Sequence, residues 1–293
     1  MPSSPLDVFI VTAGALLALA ILLHLSLIVA GPSGRLGRAV ACAPGVDLVI
    51  FAYTAAPQIA GPILAGWAGL GAAIGGQLTA LLVWIAAHET LNRGKTRGRP
   101  RIHATVRSMV GGWRNHFAVW WTGLAVPVFW IVRFAELVVY PPLTWSVRLP
   151  AYRQRDWINV SRHKFEGLVG YDLIWCLYCD WMTGVWSLAS EMLRNVESFW
   201  CPIRFADAAK CANCRVDFPD VENGWVAADG SLDDVSALLR EKYGRDVNAW
   251  FGHPVRLTTG ATGDPSPRPG SAEPQVTGPA PRPPSPGTSG TAR

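Results

Sequence analysis

Residues 48–88 form a run of 41 without one Asp, Glu, Lys or Arg. A single helix through it would measure about 60 Å, twice the roughly 30 Å of hydrocarbon in a bilayer. The run therefore excludes a simple soluble globule, and it is too long for one span. It divides into two helices of about 20 residues near Gly66-Trp67-Ala68-Gly69. Pro57 and Pro62 lie in the first and are expected to kink it. Gly61, Ala65 and Gly69 recur every four residues, as do Gly71 and Gly75. Small residues at that spacing let helix backbones approach in lipid, so the stripe is assigned to packing and to no chemistry.

The rest of the chain extends this reading. Half of its residues are hydrophobic and 16% are charged, against about 25% in an average soluble domain. Residues 8–30 carry no formal charge and are long enough for another span. The preceding residues have no Lys or Arg, which excludes a signal peptide with its basic start. Arg35 and Arg38 follow this first span. Seven basic residues between Glu89 and His116, Arg93 and Arg114 among them, follow the third. Basic loops stay inside, so both are expected in the cytoplasm and the N-terminus outside. Apolar segments flank the seven-base loop on both sides, which argues for a loop between membrane segments and against nucleic-acid binding.

Residues 117–132 are apolar, but Arg133 and Glu136 then interrupt the apolar run. A spanning helix here would leave Arg148, Arg153 and Arg155 outside, against the charge rule. A surface-lying or re-entrant segment keeps every basic cluster on one side and is preferred. The alternative is a fourth span in which Arg133 pairs with Glu136 one turn away. Ten of the 14 tryptophans fall between Trp113 and Trp200, and Trp favours the membrane–water interface. His24 and His88 fall at the same expected membrane level, as two haem ligands would. With no further haem motif, they are assigned to hydrogen-bonded or interfacial imidazoles.

From about Trp145 the composition turns polar. Val185, Leu188, Met192 and Val196 mark one face of a helix over residues 181–199, ended by Cys201-Pro202. A second helix is expected over residues 232–243, with Ser231 as its N-cap. Past Gly260 the chain is Pro, Gly, Ser and Thr, holds nine of the 23 prolines, and is expected to be disordered.

Five of the six cysteines lie within 39 residues. Cys176 and Cys179 form one Cys-x-x-Cys pair, Cys211 and Cys214 a second, and Cys201 stands between them. Two such pairs can complete a tetrahedral thiolate shell around zinc, with Cys201 as a substitute ligand. The first pair is expected just before a helix N-terminus, where amide dipoles favour thiolate. Asp172 and Asp180 flank it and are expected to be solvated, with support of the ligands as the alternative. Four thiolates also suit an iron–sulfur cluster, and Cys201-Pro202 resembles the Cys-Pro that ends some ferredoxin motifs. Trp175-Cys176-Leu177-Tyr178-Cys179 resembles the sites of thiol oxidoreductases, including the four-helix membrane enzymes that pass electrons to quinone. That resemblance implies dithiol chemistry, although those enzymes keep their cysteines in loops on the outer face. Cys42 reads as a free thiol and His163 as an exposed residue. Gly94-Lys95-Thr96 lacks the upstream glycine of a phosphate loop.

The fold class expected is mainly α. Three membrane spans fill residues 1–90, a basic cytoplasmic loop 91–116, and an interfacial, re-entrant or fourth membrane segment 117–144. A small helical, Cys-ligated metal domain occupies 145–258 and faces the cytoplasm, and a disordered tail fills 259–293. The expected protein sits in a bacterial-type inner membrane. It carries a structural zinc module for interaction or assembly with a membrane or cytoplasmic partner. The alternative is a membrane redox protein using an iron–sulfur cluster or dithiols.

Overall fold

The computed structural model describes residues 4–31, 34–210, 221 and 224–242. It is mainly helical. Three helices are long and apolar enough to cross a membrane: Pro5–Val29, Ala55–Leu91 and Gly112–Val147. The first, α1 (Pro5–Ala30), starts at a capping box in which Ser4 and Asp7 exchange hydrogen bonds. Helices α2 (Arg35–Ala41) and α3 (Gly45–Tyr53) come next, then α4 (Ala55–Leu91).

Helix α4 is not one rod. Ala65 (φ −144°, ψ 26°) and Gly66 (φ 61°, ψ −155°) leave helical geometry, at the edge of the expected division point. The chain reverses there. A Cβ on Gly61 would stand 2.5 Å from the Gly69 carbonyl oxygen, and eight residues along one helix would instead put the two about 12 Å apart. Residues 55–64 and 67–91 are thus the arms of a tight hairpin. The kink in the first arm falls at Thr54, between α3 and α4 (φ −119°, ψ −70°). Pro57 explains it. Lacking an N–H, it cannot bond the Tyr53 carbonyl one turn back. The second arm satisfies that oxygen instead: Gln77 Nε2 donates to the carbonyls of Tyr53 (2.8 Å) and Thr54 (2.6 Å).

Helix α1 packs along the second arm in the same direction. Phe9 meets Gly75 and Gly76 near one end, and His24 meets Trp84 and His88 near the other. The small-residue stripe is only partly the expected one. Gly69, Ala73, Gly76 and Ala80 are buried, whereas a Cβ on Gly71 would touch nothing within 4 Å. Because α1 and the second arm run together and the first arm opposes them, their ends sort into two levels. The N-terminus and the 65–66 turn share one. Arg35, Arg38, the start of α3 and the end of α4 share the other.

At that basic end the chain continues through α5 (Arg93–Thr96), α6 (Ile102–Val110) and α7 (Gly112–Thr122). A 3-10 turn at Gly123–Ala125 leads into α8 (Val126–Phe134), and a π segment at Ala135–Val139 into α9 (Tyr140–Val147). Helix α10 (Gln154–Trp157) precedes α11 (Gly170–Trp200), whose 31 residues exceed the expected 181–199 by three turns at the N-terminal end. Last comes α12 (Leu232–Lys242), capped by Ser231 as expected, with Asp234 bonding back to it; Tyr243 lies outside the described residues.

Helix α11 lies beside α7 and α8, in the same direction. Tyr171 meets His116, Trp175 meets Trp120, and Trp181 meets Trp130. One core lies between these layers and α3, built on Trp181, Val185, Leu188 and Met192 of α11 with Val46, Tyr140 and Ile158. Inside it sits a charge cluster. Arg133 is fully buried and donates to Asp47 (Nη2, 2.6 Å), Glu136 (Nη1, 2.6 Å) and Gln154 (Nη2, 2.7 Å). The second Asp47 oxygen accepts the Trp181 indole N–H at 2.9 Å. The Arg133–Glu136 pair of the fourth-span alternative is present, but Arg133 also takes a partner from α3, 86 residues away.

Stability in detergent checks both features. Gly69→Ala should cost about 2 kcal/mol by overpacking the hairpin, while Gly71→Ala should stay within about 0.5 kcal/mol of the parent. Equal effects at both sites would remove the hairpin. Arg133→Met should cost about 3–5 kcal/mol, because Asp47 and Glu136 are left buried and unpaired. A loss under about 1 kcal/mol in chemical unfolding would show that water reaches the cluster.

Candidate functional site

The site is built where α11 begins. A helix start leaves backbone N–H groups without intrahelical partners, and Val169 at the N-cap offers no side-chain acceptor. The last turn of α4 supplies the acceptors. Gly170 N donates to His88 Nδ1 at 3.0 Å, and Tyr171 N to Glu89 Oε1 at 3.2 Å. Gly170 sits at φ +50°, and any Cβ there would overlap the Glu89 side chain. Glycine is thus required twice over, for conformation and for space.

Within the same first turn, Asp172 is 4% exposed at its side chain. Its Oδ2 accepts from Arg101 Nε at 2.9 Å, and its Oδ1 accepts from the His103 backbone N–H at 3.0 Å. The His103 ring nitrogen Nδ1 lies 3.1 Å from the same Oδ1. Arg101 also donates to Glu89 at 2.8 Å and to the Val169 carbonyl at 3.1 Å. Burial works against the Arg101 charge, but the bonds from Asp172 and Glu89 outweigh it and hold the guanidinium above its ordinary value. An ionised Asp172 can only accept, so the His103 proton sits on Nδ1, leaving Nε2 for a ligand. Beside it, the Tyr171 hydroxyl is 3.3 Å from His116 Nδ1. Of these groups, Glu89, His103, Tyr171 and His116 line a cavity of about 480 Å³, together with Ile85, Arg107 and Trp113. Asp172, expected in solvent, is instead the buried centre of this junction. His103, His116 and Arg101 carry no motif in the sequence. Only the spacing of basic residues marks their loop.

His24 and His88 do share a level. Their rings are 5.8 Å apart, and Trp84 stacks beside both, 6.2 Å from His24 and 4.8 Å from His88. Trp84 Nε1 donates to His24 Nε2 at 3.3 Å, and His88 Nδ1 is taken by Gly170. Both are hydrogen-bonded imidazoles, as read from the sequence.

Cys176 and Cys179 lie inside α11, in its second and third turns, and not ahead of a helix N-terminus. The helix starts earlier than its hydrophobic stripe because its first turn is fastened to α4. Three residues apart, the two thiols share a face and are both half-buried. Arg162 lies beside Cys179, and that interaction holds the guanidinium above its ordinary value. Asp180, expected in solvent, accepts from the backbone N–H groups of Ser161 (2.6 Å) and Arg162 (3.0 Å) and so pins this loop to α11. Cys201 terminates the same helix, 22 residues and about 33 Å beyond Cys179. On one chain it cannot share an ion with the first pair. Cys211 and Cys214 lie outside the described residues, as does the segment expected to be disordered. Among the described residues no three His, Cys, Asp or Glu side chains form a metal-ready group. Cys42 is a half-buried free thiol and pairs through its backbone with Asn159. His163 is exposed, as expected.

Burial pushes the Cys176 thiol up, so less of it is thiolate at pH 8 than of an ordinary thiol. Iodoacetamide should then modify the exposed Cys201 well before Cys176, and a rise to about pH 9.5 should narrow the gap. Peptide mass spectrometry reads both rates; equal rates at pH 8 would contradict the burial of Cys176.

No family model matches this chain, and neither the curated proteins nor the solved structures supply a match.

Proposed function

We propose that the chain is a multi-pass membrane protein whose α7 to α11 region is a rigid platform lying along the basic face of the bilayer, where it serves as an interaction or assembly module. One observation carries this reading. Helix α11 is bonded to the end of α4 through Gly170 and Tyr171, and to the start of α3 through Trp181. Those two ends flank the same level of the hairpin, so the platform crosses that level from one arm to the other. Trp113, Phe117, Trp121, Leu124, Val128 and Ile131 form an exposed stripe on its outer side. Such a stripe suits a helix half sunk among headgroups. The positive-inside rule makes this face cytoplasmic, in a bacterial-type inner membrane.

In this reading Cys176 and Cys179 contribute two thiolates to a zinc shell completed by Cys211 and Cys214, a fixed point for a protein partner. A second reading is favoured by the helical placement of the first pair. Two thiols on one face with Arg162 against Cys179 also suit a redox dithiol. An iron–sulfur cluster would draw on the same thiolates.

Depth measurements test the platform. Spin labels anchored through genetically encoded ketones at residues 117 and 131, in protein reconstituted into bilayers, should report similar shallow depths. A spanning helix would separate them by about 21 Å, and that result would refute the surface-lying platform. Elemental analysis of the purified chain separates the metal readings. Zinc near one per chain in a colourless sample is the expected result; a metal-free sample gaining two thiols on reduction would establish the dithiol instead.

A further inference from the structure

The geometry points to the cavity at the α4–α6–α11 junction as a binding site for a phosphate-bearing amphiphile, its phosphate on Arg107 and His103 and its apolar part against Ile85 and Trp113. This rests on the platform lying at the bilayer face, and it names what that face would hold. Location comes first. Ile85 and Glu89 belong to the last turns of an apolar arm, and Trp113 opens the next apolar segment. The cavity therefore sits where hydrocarbon gives way to headgroups.

Charge comes second. Of the two guanidiniums here, Arg101 is consumed by Glu89 and Asp172. Arg107 lines the cavity, and among the described residues no carboxylate pairs with it. Glu89 shares the single charge of Arg101 with Asp172, so one guanidinium against two carboxylates leaves a net charge of −1, which Arg107 balances, and the positive surplus comes from the surrounding loop. Arg93, Lys95 and Arg97, on the same loop, likewise have no acidic partner among the described residues. They raise the local concentration of anions near the mouth.

Shape and hydrogen bonding come third. With Nδ1 against Asp172, His103 keeps Nε2 for the ligand. Tyr171 stands between the two imidazoles, its ring 5.5 Å from that of His103 and its hydroxyl 3.3 Å from His116 Nδ1. Gly112 leaves room for Arg107: a Cβ at that position would stand 2.8 Å from Arg107 Nε. Ile85 is buried and Trp113 exposed, which gives one closed apolar wall and one that an acyl chain can lie against.

The test uses the full chain in detergent and three probes: dihexanoyl phosphatidic acid, glycerol 3-phosphate and dihexanoylglycerol. Native mass spectrometry counts bound molecules over a concentration series. Phosphatidic acid should bind at least tenfold more tightly than either fragment, about 1.4 kcal/mol. Arg107→Gln should weaken it about tenfold with an unchanged unfolding temperature. Arg114→Gln, outside the cavity, should leave it within about twofold. If glycerol 3-phosphate matches phosphatidic acid, the phosphate chemistry stands and the source is a soluble ester. If dihexanoylglycerol matches it, or Arg107→Gln folds normally and binds as the parent does, the site is refuted. Should Arg107→Gln misfold, Arg107→Lys keeps the charge and must keep most of the binding. Detergent solution carries no sidedness, so a negative result here is distinct from a failed depth measurement.

Discussion

A guanidinium buried among apolar side chains is the condition on which the two halves of this protein meet. Moving such a charge out of water costs several kcal/mol unless its donors are matched. Arg133 finds its match only if α8, α3 and α10 come together, since Asp47, Glu136 and Gln154 arrive from three segments. Asp47 in turn spends its other oxygen on Trp181 of α11. The apolar core around these groups would accept small slips of one helix on another. The polar cluster does not, because a displacement of one residue would leave a charge without a partner. Packing supplies the bulk of the attraction, and the cluster selects one register from the many that packing would tolerate.

The second junction uses the same physics at the other edge. Asp172, Arg101 and Glu89 alternate in sign, and each is held by more than one partner. The two clusters differ in exposure. Arg133 is wholly enclosed, whereas Glu89 and His103 line a cavity. The first has no route to a ligand. The second combines fixed dipoles with open space, the usual condition for recognition.

Much of the membrane half is legible in the sequence. The uncharged run, its division near Gly66 and the grouping of basic residues come from length and charge alone, because lipid imposes those rules locally. The helix face of Val185, Leu188 and Met192 and the cap at Ser231 are legible for the same reason: their partners lie within a few residues. The features that escape depend on distance along the chain. The start of α11 is defined by His88 and Glu89, and no pattern in residues 170–180 announces that. Asp172 reads as a surface acid until Arg101 is placed beside it, 71 residues away. The two Cys pairs stand out by spacing. The structure sets the first pair on a helix and leaves the second outside the described residues, while the richest polar junction grows from residues with no shared motif.

The clasp between α4 and α11 also bears on the order of events during synthesis. A helix start is the costly part of helix formation, since several residues must be fixed before the first bonds repay them. Here the acceptors for that start belong to residues made 82 positions earlier. By the time Gly170 leaves the ribosome, every residue of α4 has already been made. The growing chain meets a ready template, and α11 can wind outward from it toward Asp47. Synthesis from N- to C-terminus thus gives the platform its direction of growth, with the bundle as its seed.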